Sequence, residues 1–198
     1  VISLKSKSGR LRSSAEYREL KQEKDLFRRR LYFLAFFADK LKAAGVDAIL
    51  VGGEAIDLYT GGTFATSDCD LLVSNKMETE KLLNKLGFGK EDNQLWFNQE
   101  LNIVIQVITA MYSGETPKLR TFKVKGFELK VAAPEDLIAS RLYSAKFWKS
   151  SPQRDFEQAV ALLKIFSDSL DNKYLSRLAK RSDIVDFLAK ARSYASKL

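Results

Sequence analysis

The chain contains no histidine and a single cysteine, Cys69. The first absence excludes the Ser-His-Asp triad, the Cys-His pair and every His-containing zinc site. The second excludes an intramolecular disulfide and gives no sign of an oxidising compartment. Catalysis must then rest on carboxylates, Lys, Arg, Ser, Thr or Tyr, and carboxylates working with a divalent cation are the natural choice. Long apolar runs are missing too. The longest, Leu31 to Ala38, is far short of the roughly 20 residues that a membrane span needs, and the N-terminus lacks the apolar stretch of a secretory signal. The expectation is a soluble, cytoplasmic protein without a membrane partner.

Internal repeats and low-complexity linkers are absent as well. A chain of 198 residues, 45% of them hydrophobic, suggests one mixed domain or one domain with a small appendage. Positive charge is abundant and unevenly placed. The net charge is +8; residues 1–30 hold ten Lys or Arg against four acids and residues 172–198 hold seven against two, which leaves the centre at −3. Basic flanks suit a polyanion such as RNA, and an acidic centre suits a metal; the same lysines also serve as solubilising charge on helix faces.

Residues 1–12 are polar and basic and read as a flexible N-terminus. Ser13 with Glu16 forms a capping-box pattern, after which apolar residues recur at helical spacing until Gly45, as one long helix or two in tandem. Arg28-Arg29-Arg30 lies within it, on a solvated face or against phosphates. Asp47–Val51 reads as a buried strand ending in Gly52-Gly53, Glu54–Tyr59 as a short helix, and Asp70–Ser74 as a second strand. A helix from about Glu78 to Leu86, strands at Leu95–Phe97 and Leu101–Ile108, and a hairpin about Gly126 between Phe122 and Val131 follow. From Pro134 the pattern is helical, with Pro134 and Pro152 in first turns and Asp171 and Ser182 as caps of two further helices. This predicts an α/β core over 13–131 with its N-terminal helix, and a C-terminal helical region over 132–198.

Asp68 and Asp70 stand two residues apart at the mouth of a strand, so both carboxylates emerge on one face and can share divalent cations, Mg²⁺ or Mn²⁺. Cys69 between them points the other way, into the core. Gly52-Gly53 joins a strand to a helix N-terminus, where backbone N–H groups and the helix dipole favour a phosphate and absent side chains let it approach. Alone, each pattern is commonly a plain turn or a solvated strand end; the combination is far more specific.

The segment ILVGGEAIDLYTGGTFATSDCDLLV, residues 49–73, resembles the core of the polymerase-β-type nucleotidyltransferase superfamily. The resemblance implies a mixed sheet flanked by helices, with a C-terminal helical bundle. It also implies transfer of a nucleoside monophosphate from an NTP to an acceptor hydroxyl, with Asp68 and Asp70 as metal ligands and Gly52, Gly53 and Ser67 at the nucleotide. Downstream, APEDLIASRLYSAKFWKSSPQRDFEQAVALL, residues 133–163, is similar to nucleotidyltransferases of the bacterial and archaeal toxin-antitoxin type. That likeness gives Arg141 or Lys146 the basic position at the triphosphate and makes Arg154 and Asp155 an Arg-Asp pair. Otherwise Asp155 is a first-turn acid facing its helix dipole. The implied acceptor is an RNA, tRNA foremost, or a protein hydroxyl.

Two departures from the family pattern stand out. Glu54 follows Gly53 where a serine is usual, leaving Ser67 or Thr66 to supply the hydroxyl. The strand that usually offers a third carboxylate carries Gln106, an amide that binds Mg²⁺ weakly and cannot act as a general base. Asp155 or the substrate itself then takes the proton; Glu100 and Asn102 are less well placed. The alternatives are a catalytically degenerate module that binds nucleotide or nucleic acid, and a plain interaction protein that meets another chain through the long N-terminal helix. Trp96-Phe97 and Phe147-Trp148 stack on bases or, more commonly for such residues, fill the core.

Overall fold

The computed structural model of the chain describes residues 11–148 and 150–197. The segment read as a flexible basic N-terminus therefore lies outside the described residues, apart from Leu11 and Arg12.

The N-terminal helical pattern resolves into two helices in tandem, α1 (Ala15–Gln22) and α2 (Leu26–Ala43). Ser14, not Ser13, caps α1, because it is Ser14 that is extended and accepts the Tyr17 N–H, at 3.2 Å. Asp25 caps α2 by accepting the Arg28 N–H at 2.9 Å. Helix α2 is buried around almost its whole girth: Phe33, Leu34, Phe36 and Phe37 are fully enclosed. A helix apolar on all sides belongs inside a fold, and burying each such side chain contributes about 1.5–3 kcal/mol. Its middle is therefore spent on the core of this chain.

Seven strands form one mixed sheet in the order β3-β4-β5-β2-β1-β7-β6. They are β1 (Ala48–Val51), β2 (Cys69–Val73), β3 (Gly89–Lys90), β4 (Leu95–Asn98), β5 (Ile103–Ile108), β6 (Arg120–Val124) and β7 (Phe127–Val131). The hairpin turn is Lys125-Gly126, both at positive φ, as a two-residue connection of this hand requires. Cys69, Leu71 and Val73 of β2 and Ile103, Ile105 and Val107 of β5 join the core with α2, while Asp70, Leu72, Val104 and Gln106 alternate onto the other, half-open face. The alternation thus settles which face can carry chemistry.

Helix α3 (Gly52–Tyr59) follows β1 directly, and α4 (Lys76–Lys85) follows β2. The C-terminal helices are α5 (Pro134–Phe147), α6 (Pro152–Ile165), α7 (Asn172–Arg181) and α8 (Val185–Ala195). Pro134 and Pro152 occupy first turns and Asp171 caps α7, as expected. Ser182 ends α7 rather than starting α8, because the chain turns through Asp183 at φ +53 before α8 begins. The apolar core runs without interruption from Tyr17 to Ala191. No described helix is long and apolar enough to cross a membrane.

Candidate functional site

Strands β1 and β2 pair antiparallel with Val51 opposite Asp70, so the end of β1 and the beginning of β2 meet at one edge. That pairing sets the Gly52-Gly53 turn against the aspartates. Gly52 has φ +65, and a Cβ built on it would stand 1.8 Å from Asp70 Oδ2. Only glycine satisfies both conditions. At Gly53 a Cβ would come to 2.9 Å from Thr66 Oγ1, so the turn is also closed against the loop before β2.

Asp68 is half-buried just ahead of β2. Its Oδ1 accepts the Ser67 hydroxyl at 3.1 Å and the Thr66 hydroxyl at 3.3 Å, so both hydroxyls proposed as stand-ins for the missing serine are turned toward this carboxylate. Asp70 is pushed up to about 6, first by burial and then by the Asp68 charge; Arg141 and the Gly53 N–H draw it down. The Asp68 and Asp70 carboxylates are hard oxygen donors suited to a divalent ion, whose charge would oppose the upward shift of Asp70. No cluster of three or more acidic, His or Cys side chains able to hold a metal occurs among the described residues. Parallel pairing of β2 with β5 sets Gln106 directly beside Asp70, where its amide reaches Gln94 at 3.4 Å.

Other residues singled out in the sequence divide into those brought to this edge and those held elsewhere. Arg141 Nη1 lies 3.1 Å from Asp155 Oδ1, joining α5 to α6 beside Asp70. Arg154 donates to the Ala65 carbonyl and so ties α6 to the loop that carries Asp68. Lys146 is not part of this group: its ammonium is taken up by Asp183 and Asp186, 3.4 and 3.0 Å away, where α5 meets α8. Glu100 is engaged by Arg12 and Lys21 at 2.9 and 2.5 Å. Trp96 is enclosed in the core, whereas Phe147 and Trp148 are 47% and 60% exposed, against the expectation that such aromatics fill the interior.

Beneath the turn lies a feature that sequence reasoning missed. Arg30, just ahead of the apolar run of α2, is buried with its Nε 2.9 Å from Glu54 Oε2 and its Nη2 3.5 Å from Asp57 Oδ2. Its Nη1 donates to the Thr66 carbonyl at 3.3 Å, and Asp57 Oδ1 accepts the Phe64 N–H at 2.9 Å. The Arg30 and Glu54 groups are close but poorly aligned, so neither Glu54 oxygen accepts a hydrogen bond among the described residues. Burial, opposed by Arg30, pushes Glu54 up to about 7. Arg30 therefore does not touch phosphates and does not lie on a solvated face. One arginine binds the Gly-Gly helix and the loop before Asp68 into a single unit. The available signal was Glu54 and Asp57, one turn apart in a short apolar helix, where charges need a buried partner.

No family model and no curated protein matches the chain. Solved structures do. Over 89% of this chain and 93% of its own, an antigenic nucleotidyltransferase-like protein from Paracoccidioides brasiliensis superposes with a TM-score of 0.54 at 16% identity. The fold is nucleotidyltransferase-like. The antibiotic-resistance factor ANT(2'')-Ia, whose solution structure shows substrate-regulated conformational dynamics, superposes with a TM-score of 0.53 at 17% identity, over 78% of this chain and 92% of its own. The mixed sheet and its flanking helices agree with the fold class expected from residues 49–73.

Proposed function

We propose that this nucleotidyltransferase-like chain transfers a nucleoside monophosphate from an NTP to a hydroxyl of an RNA, tRNA foremost, or of a protein. One observation carries the reading: Gly52 has no room for a side chain beside Asp70, which sets the phosphate-binding turn against the paired aspartates. Asp68 and Asp70 would hold Mg²⁺ or Mn²⁺. The ion, when bound, neutralises phosphate oxygens and polarises the reacting phosphoryl group. Gly52 and Gly53 admit the triphosphate at the N-terminus of α3, with Ser67 beside it, and Arg141 and Arg154 face its charge. Lys146, held by Asp183 and Asp186, is left out of this assignment.

Asp155 is assigned the positioning of Arg141, whose Nη1 lies 3.1 Å from its Oδ1. The acceptor proton then passes to solvent or to the substrate. Loss of a general base costs typically about 10²- to 10⁴-fold, which leaves measurable turnover. The further likeness to toxin-antitoxin nucleotidyltransferases rests on residues 133–163.

Gln106 in register with Asp70 favours a second reading, a degenerate module that binds nucleotide without transferring it. Calorimetry with Mg²⁺-NTP beside labelled-NTP transfer to total RNA and to protein separates the two. Transfer that disappears in Asp68→Ala with Asp70→Ala supports the enzyme, and binding without transfer supports the module. If the double variant binds and transfers as the parent does, both readings are wrong.

A further inference from the structure

Thr66 sits between the two halves of the site. A Cβ at Gly53 would come to 2.9 Å from its hydroxyl oxygen, so the side chain lies against the phosphate-binding turn. The same hydroxyl is 3.3 Å from Asp68 Oδ1 and 3.3 Å from the Asp68 carbonyl. The Thr66 carbonyl in turn accepts from Arg30 Nη1 at 3.3 Å. Thr66 therefore touches the turn and a carboxylate of the aspartate pair at once, and Arg30 holds it from beneath.

The arginine does this by dividing its planar fork. Its Nε faces Glu54 in the first turn of α3, its Nη2 faces Asp57 one turn later, and its Nη1 reaches the loop. A lysine carries the same charge on one nitrogen and cannot span the three positions. As a source of stability the cluster is poor. It is buried, neither Glu54 oxygen accepts a hydrogen bond among the described residues, and well-packed apolar side chains in place of such charges are often neutral or stabilising. What apolar side chains cannot supply is a directional hold between α3, which begins with Gly52 and Gly53, and the loop that leads to Asp68. Groups behind a ligand carboxylate orient it and tune the ion without touching it.

We propose that, with Asp68 and Asp70 holding a divalent ion as in the transfer reading above, Arg30 is a positioning residue for that ion, acting through Thr66 on the Asp68 carboxylate.

Isothermal titration of Mn²⁺ into the full chain reads the effect without turnover. Arg30→Lys is expected to weaken binding about ten- to hundredfold, and Thr66→Val by a similar factor. Thr66→Ser, which keeps the hydroxyl, should recover most of that loss. Because both residues act along one path, Arg30→Lys with Thr66→Val should lose little more than the larger single variant. A variant carrying Arg30→Met, Glu54→Leu and Asp57→Asn removes the buried charges and keeps an acceptor for the Phe64 N–H. It should hold the parent's urea midpoint and still bind Mn²⁺ weakly, a split that a purely structural cluster does not produce. Parental Mn²⁺ affinity in that variant, or losses that multiply in the Arg30–Thr66 pair, would overturn the positioning role. Labelled-NTP transfer by the parent is measured beside these titrations. Affinities that shift as expected in a chain that transfers nothing uphold the role of Arg30 and refute transfer; transfer by the parent with Mn²⁺ affinity unmoved in every variant does the reverse.

Discussion

Gly52 and Gly61 share a φ of +65, yet only one of them faces a side chain. Replacing each with alanine therefore separates backbone strain from contact. At Gly61 an added Cβ meets nothing within 4 Å, so Gly61→Ala bears only the left-handed conformation, about 1–2 kcal/mol. At Gly52 the same strain is joined by a Cβ 1.8 Å from Asp70 Oδ2 and 2.7 Å from its Cγ. Asp70 must swing away, and overpacking of this kind costs a further ~1–3 kcal/mol. Gly52→Ala should thus lose about 2–5 kcal/mol in total by urea denaturation. In a chain of this size that corresponds to a fall in melting temperature of roughly 4–20 °C. In an Asp70→Ala background the extra loss should shrink, since Oδ2 and Cγ are gone and only the Cβ at position 70, 2.9 Å away, remains. Isothermal titration with Mg²⁺ should show weaker binding in Gly52→Ala and unchanged binding in Gly61→Ala. If the two alanine variants are equally stable, the close approach of turn and carboxylate is not real, and the geometry of the site falls with it.

Two other perturbations follow from the same edge of the sheet. The Glu54 carboxyl, raised to about 7 by burial against the pull of Arg30, favours the folded state when protonated. That contribution is complete below its ordinary value of 4.5 and is lost as pH rises through 7; Asp70, raised to about 6, acts in the same direction. The urea midpoint of the metal-free protein should therefore fall between pH 5 and 8, and Glu54→Gln should flatten that fall; an unchanged slope would refute it. Gln106→Glu supplies a carboxylate in register with Asp70. It should tighten Mg²⁺ binding and raise labelled-NTP transfer by up to about 10²-fold, and a rate no higher than the parent's counts against a missing base.

Much of this molecule was legible as a string of residues because the signals were local. The order strand, Gly-Gly, short helix, Asp-x-Asp, strand depends on the reach of a few residues, and β1, α3 and β2 form where the apolar alternation and the glycines place them. Alternation alone also put Cys69 inside and Asp70 outside. Element ends depend on more than the local pattern. Ser13 yielded to Ser14, and Ser182 ended a helix instead of starting one, because neighbouring hydroxyls compete for a cap and the backbone conformation chooses between them.

What the chain by itself determined was the chemistry on offer: no histidine, one inward cysteine, two aspartates at the mouth of one strand and an amide where a third acid is usual. What only the tertiary structure decided was which partner each charge found. Lys146 and Arg141 are five residues apart on one helix, yet one went to Asp183 and Asp186 and the other to Asp155 beside Asp70. Arg30, one of three consecutive arginines, alone turned inward to hold Glu54 and Asp57 under the turn. A long charged side chain takes its role from the opposite charges and carbonyls that folding brings within a few ångströms of it. Those neighbours are 24 to 40 residues distant for Arg30 and Lys146, and no local pattern specifies them.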